Sequence, residues 1–320
     1  MTSLPLRLLF AACWLGPAFG ANADDGPYSR ATLLAHRGVH QDFHRDGLDA
    51  TTCTAARIYP TTHAFLENTI ESIAEAFRHG ANMVEIDVHP TTDGEFVVFH
   101  DWRLECRTNG EGVTRGKALA YLKSLDIGHG YTADGGNTFP FRGKFVGAMP
   151  TWGEVVKAFP KSRFLVNIKS NDPAEGRAAV AYARRHDLGT EYVSFSGGDR
   201  PIEAIRQDWP GVRTMSRARL KSCALGYAAI GWTSYVPQAC RDAIIVVPLN
   251  YTGFAWGWPN TFVARMAEVN SEVFAMGPYG DGYGTTGVDT LELLNQLPTD
   301  YAGGIMTDRI EVIGKAARPQ

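Results

Sequence analysis

The chain has 320 residues, of which 44% are hydrophobic and 20% charged, and its formal net charge is −3. That slightly acidic balance argues against a general nucleic-acid surface, and no low-complexity tail appears. The length admits two domains, or one large α/β barrel with insertions.

The first residues, MTSLPLRLLFAACWLGPAFGANADDG, read as an export signal. Arg7 supplies a positive start, and Leu8 to Leu15 form an apolar core too short to span a bilayer. Ala18 and Gly20, or Ala21 and Ala23, fit cleavage sites. The expectation is a signal peptide over 1–23, a single domain over 24–320, and an exported protein, periplasmic or secreted. A buried first helix is the competing reading. Loss of Arg7 with the leader changes −3 to −4. No other stretch approaches membrane-span length. Export leaves Cys53, Cys106, Cys223 and Cys240 in an oxidising compartment. Four cysteines allow three pairings. Cys53–Cys106 with Cys223–Cys240 is favoured because the second pair closes a short local loop; four buried thiols are the alternative. No Cys/His cluster supports a zinc site.

Short β-rich runs then alternate with amphipathic stretches. Strands are expected at 32–36, 83–88, 164–168, 191–195, 212–215, 244–249, 272–276 and 303–306. Helices are expected at 68–79, 174–186, 200–208, 217–229, 260–269 and 288–296. Eight strands with intervening helices predict a parallel (β/α)8 barrel, with a doubly wound sheet as the rival. The first helix carries Ile70, Ile73, Ala74 and Phe77 at helical spacing, with Asn68 as its cap, Glu71 three residues on, and Gly80 as its end. Residues 39–66 and 102–149 break the rhythm, the second holding one helix near 117–124. Both follow elements that reach the same end of a barrel, where long loops build or cover a site.

The first strand ends on His36-Arg37-Gly38: an ionisable ring, a fixed cation with a fork of donors, and a residue that lets the backbone turn. The second reads MVEIDVHPTTDGEFVVFHD. Alternation puts Val84, Ile86 and Val88 on one face and Glu85, Asp87 and His89 on the other. Two carboxylates pointing into a barrel are costly unless offset, either by a hard divalent cation or by arginines. Asp93-Gly94 signals a hairpin, so EFVVFH should return antiparallel. With those two residues at the centre of the turn, Thr92 faces Glu95, His89 faces Val98, and Asp87 faces His100. In FLVNIKS, Asn167 and Lys169 share a face. Either they bind a cation and a phosphate, or they form a polar pair satisfied by neighbours. Two histidines, an arginine, a lysine and a carboxylate pair together suit a phosphate ester plus metal.

At these residues the chain resembles the glycerophosphodiester phosphodiesterase family, within the phospholipase C-like phosphodiesterase barrels. The matching pieces are AHRG at 35–38, LENT at 66–69, VEIDVHPTTDGEFVVFHD at 84–101, RTNGEG at 107–112, MPTWGEVV at 149–156, NIK at 167–169, VSFSG at 193–197 and GIMTDR at 304–309. The resemblance implies a (β/α)8 barrel with a small insertion after the strand-two hairpin, about 102–149. It also implies metal-assisted hydrolysis of glycerophosphodiesters to an alcohol and sn-glycerol 3-phosphate. His36 and His100 match the acid and base and Arg37 the arginine after the first histidine, while Lys169 is read from its own strand as a second phosphate-binding cation. Glu85 and Asp87 match the ligands of a divalent cation, Mg²⁺ or Ca²⁺, with Asn167 at the third ligand position. Glu67 and Asn68 match a Glu-Asn pair near the site, as supporting residues or as an extra ligand. The partner implied is a small glycerophosphodiester. Two features depart from the family pattern: Asn167 stands where a glutamate is usual, and FAMGPYGDGYG replaces a Trp-Thr motif near Gly277 to Gly284. A phospholipase D-like or sphingomyelinase D-like enzyme acting on lysolipids would use the same histidines, and a non-catalytic barrel binding a phosphorylated ligand is a further reading. Trp256 and Trp258 either line a pocket for the leaving alcohol or pack on the rim. His40, His44 and His63 either extend the site or, as the favoured reading, are exposed at the surface.

Overall fold

A computed structural model describes residues 27–49, 51–280 and 286–318. The expected leader, 1–23, and part of the Gly277–Gly284 stretch lie outside the described residues. The strands are β1 (Thr32–His36), β2 (Met83–Pro90), β3 (Phe96–Val98), β4 (Arg163–Ile168), β5 (Val193–Gly197), β6 (Thr214–Ser216), β7 (Ile244–Pro248), β8 (Glu272–Met276) and β9 (Gly304–Thr307). Eight of them run in the order β6-β5-β4-β2-β1-β9-β8-β7, and β3 pairs antiparallel with β2. The ends of that order meet in a parallel bridge between Thr214 and Ala243, just before β7. The result is a nearly closed barrel of eight parallel strands with helices outside, as the alternation of elements predicts.

The strands divide two apolar layers. Val84, Ile86 and Val88 of β2 face outward and pack with Ile73 and Ala76 of α1 (Ile70–Arg78) and Trp152 and Val155 of α2 (Trp152–Ala158). The inward series begins with Leu34, Met83, Leu165, Ile244, Phe274 and Met306, a separate buried cluster that fills the barrel. Side chains alternate, so the next inward positions lie two residues on. These are His36 after Leu34, Glu85 after Met83, Asn167 after Leu165, and Asp308 after Met306. A polar layer therefore sits on an apolar plug at the C-terminal ends of the strands.

The hairpin departs from its expected register. The ladder pairs Val88 with Val98, His89 with Val97, and Pro90 with Phe96. The loop has three residues, Thr92-Asp93-Gly94, closed by Thr91 N–H donating to the Glu95 carbonyl at 2.8 Å. Gly94 takes φ +87°, the left-handed position that ends a three-residue hairpin loop. This one-residue shift puts Phe99, not His100, across from Asp87: Phe99 N–H donates to the Asp87 carbonyl at 2.9 Å. Because β3 ends at Val98, His100 is released from the alternation of the ladder.

Helix α1 also starts differently. Thr69 caps it in a reciprocal capping box with Ser72, so the expected Asn68 cap is not formed. Asn68 lies at φ +59° and gives its side chain to Asp87 instead. Two helices were not expected. One is α2, whose capping box of Thr151 and Glu154 is readable in the sequence. The other is the last helix, Ile310–Ala317. The disulfides Cys53–Cys106 and Cys223–Cys240 are the favoured pairs, and the first ties the two irregular segments together. Among the described residues no helix is long and apolar enough to cross a membrane.

Candidate active site

The rim brings the expected residues together around Asp87, which is fully buried. Its Oδ1 accepts from Asn167 Nδ2 at 2.9 Å and lies 3.2 Å from Lys169 Nζ. Its Oδ2 accepts from Asn68 Nδ2 at 3.0 Å and lies 3.3 Å from Arg37 Nε. Burial opposes its charge, but Lys169 and Arg37 hold the carboxyl well below the usual range. Asn68 closes the loop by accepting from Asp87 N–H at 3.1 Å.

Glu85 is the less satisfied of the pair. Its Oε2 is buried without a hydrogen-bond partner, 3.8 Å from His36 Nε2. Burial, and then repulsion from Asp87, raise its pKa to about 7.

The two histidines are anchored alike. His36 Nδ1 lies 2.5 Å from Asp308 Oδ1, and His100 Nδ1 lies 2.6 Å from Asp101 Oδ1. An ionised carboxylate only accepts, so each ring carries its proton on Nδ1 and leaves Nε2 for other work. Burial and Arg37 oppose charge on His36, yet Asp308 and Glu85 outweigh them and its pKa is raised. Burial, with Arg37 and Lys169, lowers His100 to about 4. His100 therefore shares its field with the Asp87 group although the expected ladder pairing is absent.

A second tier holds these groups. Glu67 lies 3.4 Å from Arg37 Nη1 and 3.2 Å from Arg107 Nη1. Arg107, itself buried, places Nε 3.0 Å from Asp101 Oδ2 and donates to Tyr131 Oη at 2.7 Å and Thr54 Oγ1 at 2.8 Å. Asp101, Arg107 and Asp308 were not singled out in the sequence, although all three lie in pieces quoted above for the resemblance. Asp308 had a second signal, its place two residues beyond the inward-facing Met306.

Some expectations do not hold. His40 is buried rather than at the surface, its Nε2 3.9 Å from Asp308 Oδ1. His44 is exposed, as expected, and rests on Tyr59, and His63 Nδ1 accepts from Gln41 Nε2 at 3.0 Å. Trp258 packs with Phe262 and Tyr301, while Trp256 Nε1 donates to the Ala228 carbonyl, so both serve loop packing.

A hard divalent cation takes oxygen donors. Glu85 offers an orphaned buried oxygen, and its mutual repulsion with Asp87 is the kind that a cation relieves. Among the described residues no group of three His, Cys, Asp or Glu side chains could hold an ion, and Asn167 turns its Nδ2 to Asp87, so a third donor would have to be the Asn167 amide oxygen. Glu85, Asp87 and Asn167 would offer a divalent cation one negative charge fewer than the same set with a glutamate at 167.

Residues 36–189 match the model of the glycerophosphoryl diester phosphodiesterase family. Over that segment the chain is similar to this family. A glycerophosphodiester phosphodiesterase of Caldanaerobacter subterraneus subsp. tengcongensis is 38% identical over 104 residues, 32% of this chain and 39% of the relative. The chain thus spans about two fifths of that curated relative's length. The barrel also resembles a glycerophosphoryl diester phosphodiesterase domain from Mycobacterium tuberculosis, at TM-score 0.62 and 16% identity, over 89% of this chain and 98% of that one. A phosphodiesterase of Oleispira antarctica, solved with its product sn-glycerol-3-phosphate, gives TM-score 0.52 and 19% identity over 89% and 94% of the chains. At such identities these two structures speak for the fold.

Proposed function

We propose that this chain hydrolyses glycerophosphodiesters to an alcohol and sn-glycerol 3-phosphate. The observation that carries the reading is one polar layer in which His36 and His100, each held by Nδ1 on a carboxylate, flank Arg37, Lys169 and the Glu85/Asp87 pair. The family match and the product found in the Oleispira antarctica phosphodiesterase support the same substrate class.

Arg37 and Lys169 are held at the rim by Asp87 and neutralise the nonbridging oxygens of the phosphate. A water oxygen bonds to phosphorus as the bond to the alcohol oxygen breaks. One histidine takes a proton from the water through Nε2, and the other returns a proton to the leaving alkoxide. Each such transfer typically contributes about 10²–10⁴-fold. Asn68 and Glu67 keep Asp87 and Arg37 in place. A divalent cation, Mg²⁺ or Ca²⁺, held by Glu85, Asp87 and Asn167 would add Lewis-acid stabilisation of the phosphate charge. We place the enzyme outside the cytoplasm, in the periplasm or secreted, a reading that the two disulfides support.

The test is an assay with glycerophosphocholine, with and without chelator, in the presence of Mg²⁺, Ca²⁺, Mn²⁺ or Co²⁺. The expected products are choline and sn-glycerol 3-phosphate, and the chelator should abolish their formation. A cyclic phosphate as end product would assign the chain to ring-forming lipid phosphodiesterases instead. Inactivity with all four ions would remove the catalytic reading.

A further inference from the structure

Asp308 lies immediately after β9 and is buried. Its two carboxylate oxygens have separate partners. Oδ1 lies 2.5 Å from His36 Nδ1, and Oδ2 accepts from Arg45 Nη2 at 2.9 Å. Its backbone is pinned as well: Asp308 N–H donates to Asp289 Oδ1 at 2.7 Å, and Thr307 Oγ1 donates to the same oxygen at 3.0 Å. We infer that Asp308 is the positioning residue of His36, fixing the ring by Nδ1 so that Nε2 faces the phosphate, and that Arg45 fixes Asp308 in turn. The inference rests on the reading of His36 as a proton-transferring group.

The geometry sets the consequence. Rotation of an imidazole about its Cβ–Cγ bond exchanges which ring atoms face the site, and a neutral ring chooses between two tautomers. A carboxylate on Nδ1 removes both freedoms, because it accepts only from a protonated nitrogen. The other ring nitrogen is then aimed at Glu85, 3.8 Å away. Packing alone does not call for this arrangement. Asp308 and Asp289 are two carboxylates side by side at a rim that apolar groups would fill at no greater cost. Arg45 comes from the irregular segment 39–66, which gives that segment a task at the site: it covers the rim and supplies the cation that holds Asp308.

The experiment combines kinetics with ¹⁵N-histidine NMR on the full chain. Asp308→Ala should lower kcat on glycerophosphocholine by about 10²-fold or more, with KM within about threefold and an unchanged thermal melt. Asp308→Asn, which retains an acceptor, should fall between it and the wild type. In the wild type the His36 ring should show a protonated Nδ1 with a strongly deshielded proton, and Asp308→Ala should lose that signal. If Asp308→Ala does not fold, Arg45→Met replaces it, with kcat lowered about tenfold and the Nδ1 proton exchanging faster. Turnover within threefold of the wild type in the folded Asp308 variants, or an unprotonated His36 Nδ1 in the wild type, would overturn the inference. Should the wild type hydrolyse no glycerophosphodiester, the substrate reading falls and the NMR signal alone decides the role of Asp308.

Discussion

Arg107 reaches Asp101, the carboxylate that holds His100, with Nε 3.0 Å from Oδ2. The same guanidinium lies 3.2 Å from Glu67, the partner of Arg37. One buried fork thus joins the supports of both halves of the site. Arg107→Ala would leave Glu67 with Arg37 alone and Asp101 with His100 alone, a loss bounded by the roughly 3–5 kcal/mol that breaking a buried pair typically costs. Denaturant unfolding should show that loss. Arg107→Lys should recover only part of it, because an ammonium cannot reproduce a planar fork with several simultaneous partners.

Asp101 gives a pH test. Burial opposes its charge, but Arg107 and His100 hold its carboxyl well below the usual range. A folded pKa below the unfolded one, about 3.9, favours the folded state above that value. The contribution is complete near neutral pH and is lost as pH falls through the folded pKa. Asp101→Asn should therefore be less stable than the wild type at pH 7, and the gap should narrow below about pH 4. Urea unfolding across pH 3–7 measures it; a gap constant over that range would contradict the assignment.

The disulfide Cys53–Cys106 closes a separation of 53 residues and precedes Arg107 directly. In the chain-entropy model a loop of that length is worth about 4 kcal/mol. Replacing both cysteines with serine should lower stability by that order and should also reduce turnover, because Arg107 loses its neighbouring anchor. The Cys223–Cys240 pair spans 17 residues and lies among Tyr227, Phe262 and Met266, in a cluster separate from the plug below the site. Its removal should cost about 3 kcal/mol and leave kcat unchanged in the folded fraction.

Much of this arrangement was legible in the sequence because its signals are local and periodic. The alternation of β2 placed Glu85 and Asp87 on the inner face, and NIK in β4 placed Asn167 and Lys169 beside them. The hairpin register was not legible, since Asp-Gly suits both a two-residue turn and the last two positions of a three-residue loop. The structure uses the second, with Gly94 in the left-handed region. His100 reaches the site only because the ladder stops at Val98. Asn68 has the composition of a helix cap, yet Thr69 takes that task once Asn68 is drawn to Asp87. His40 and Arg45, then Arg107, then Asp308 come from three distant segments of the chain, and their convergence depends on barrel closure rather than on any local pattern.

Position 167 tests the cation reading directly. Asn167 donates to Asp87 and contributes no charge. Asn167→Glu adds an anionic oxygen donor beside Glu85 and Asp87, so divalent-cation binding should tighten by about tenfold or more, the worth of roughly 1.4 kcal/mol. Isothermal titration calorimetry with Ca²⁺ and Mg²⁺ reads this without reference to turnover. Unchanged or weaker binding would remove residue 167 from the cation site.

The central claim is that two anchored imidazoles perform the proton transfers at one rim. Pre-steady-state turnover of glycerophosphocholine by His36→Ala and His100→Ala measures it most directly, with thermal melts to show that both variants are folded. Each substitution is predicted to slow the chemical step by about 10²–10⁴-fold while leaving the fold intact. Near-wild-type turnover in either folded variant would contradict the account.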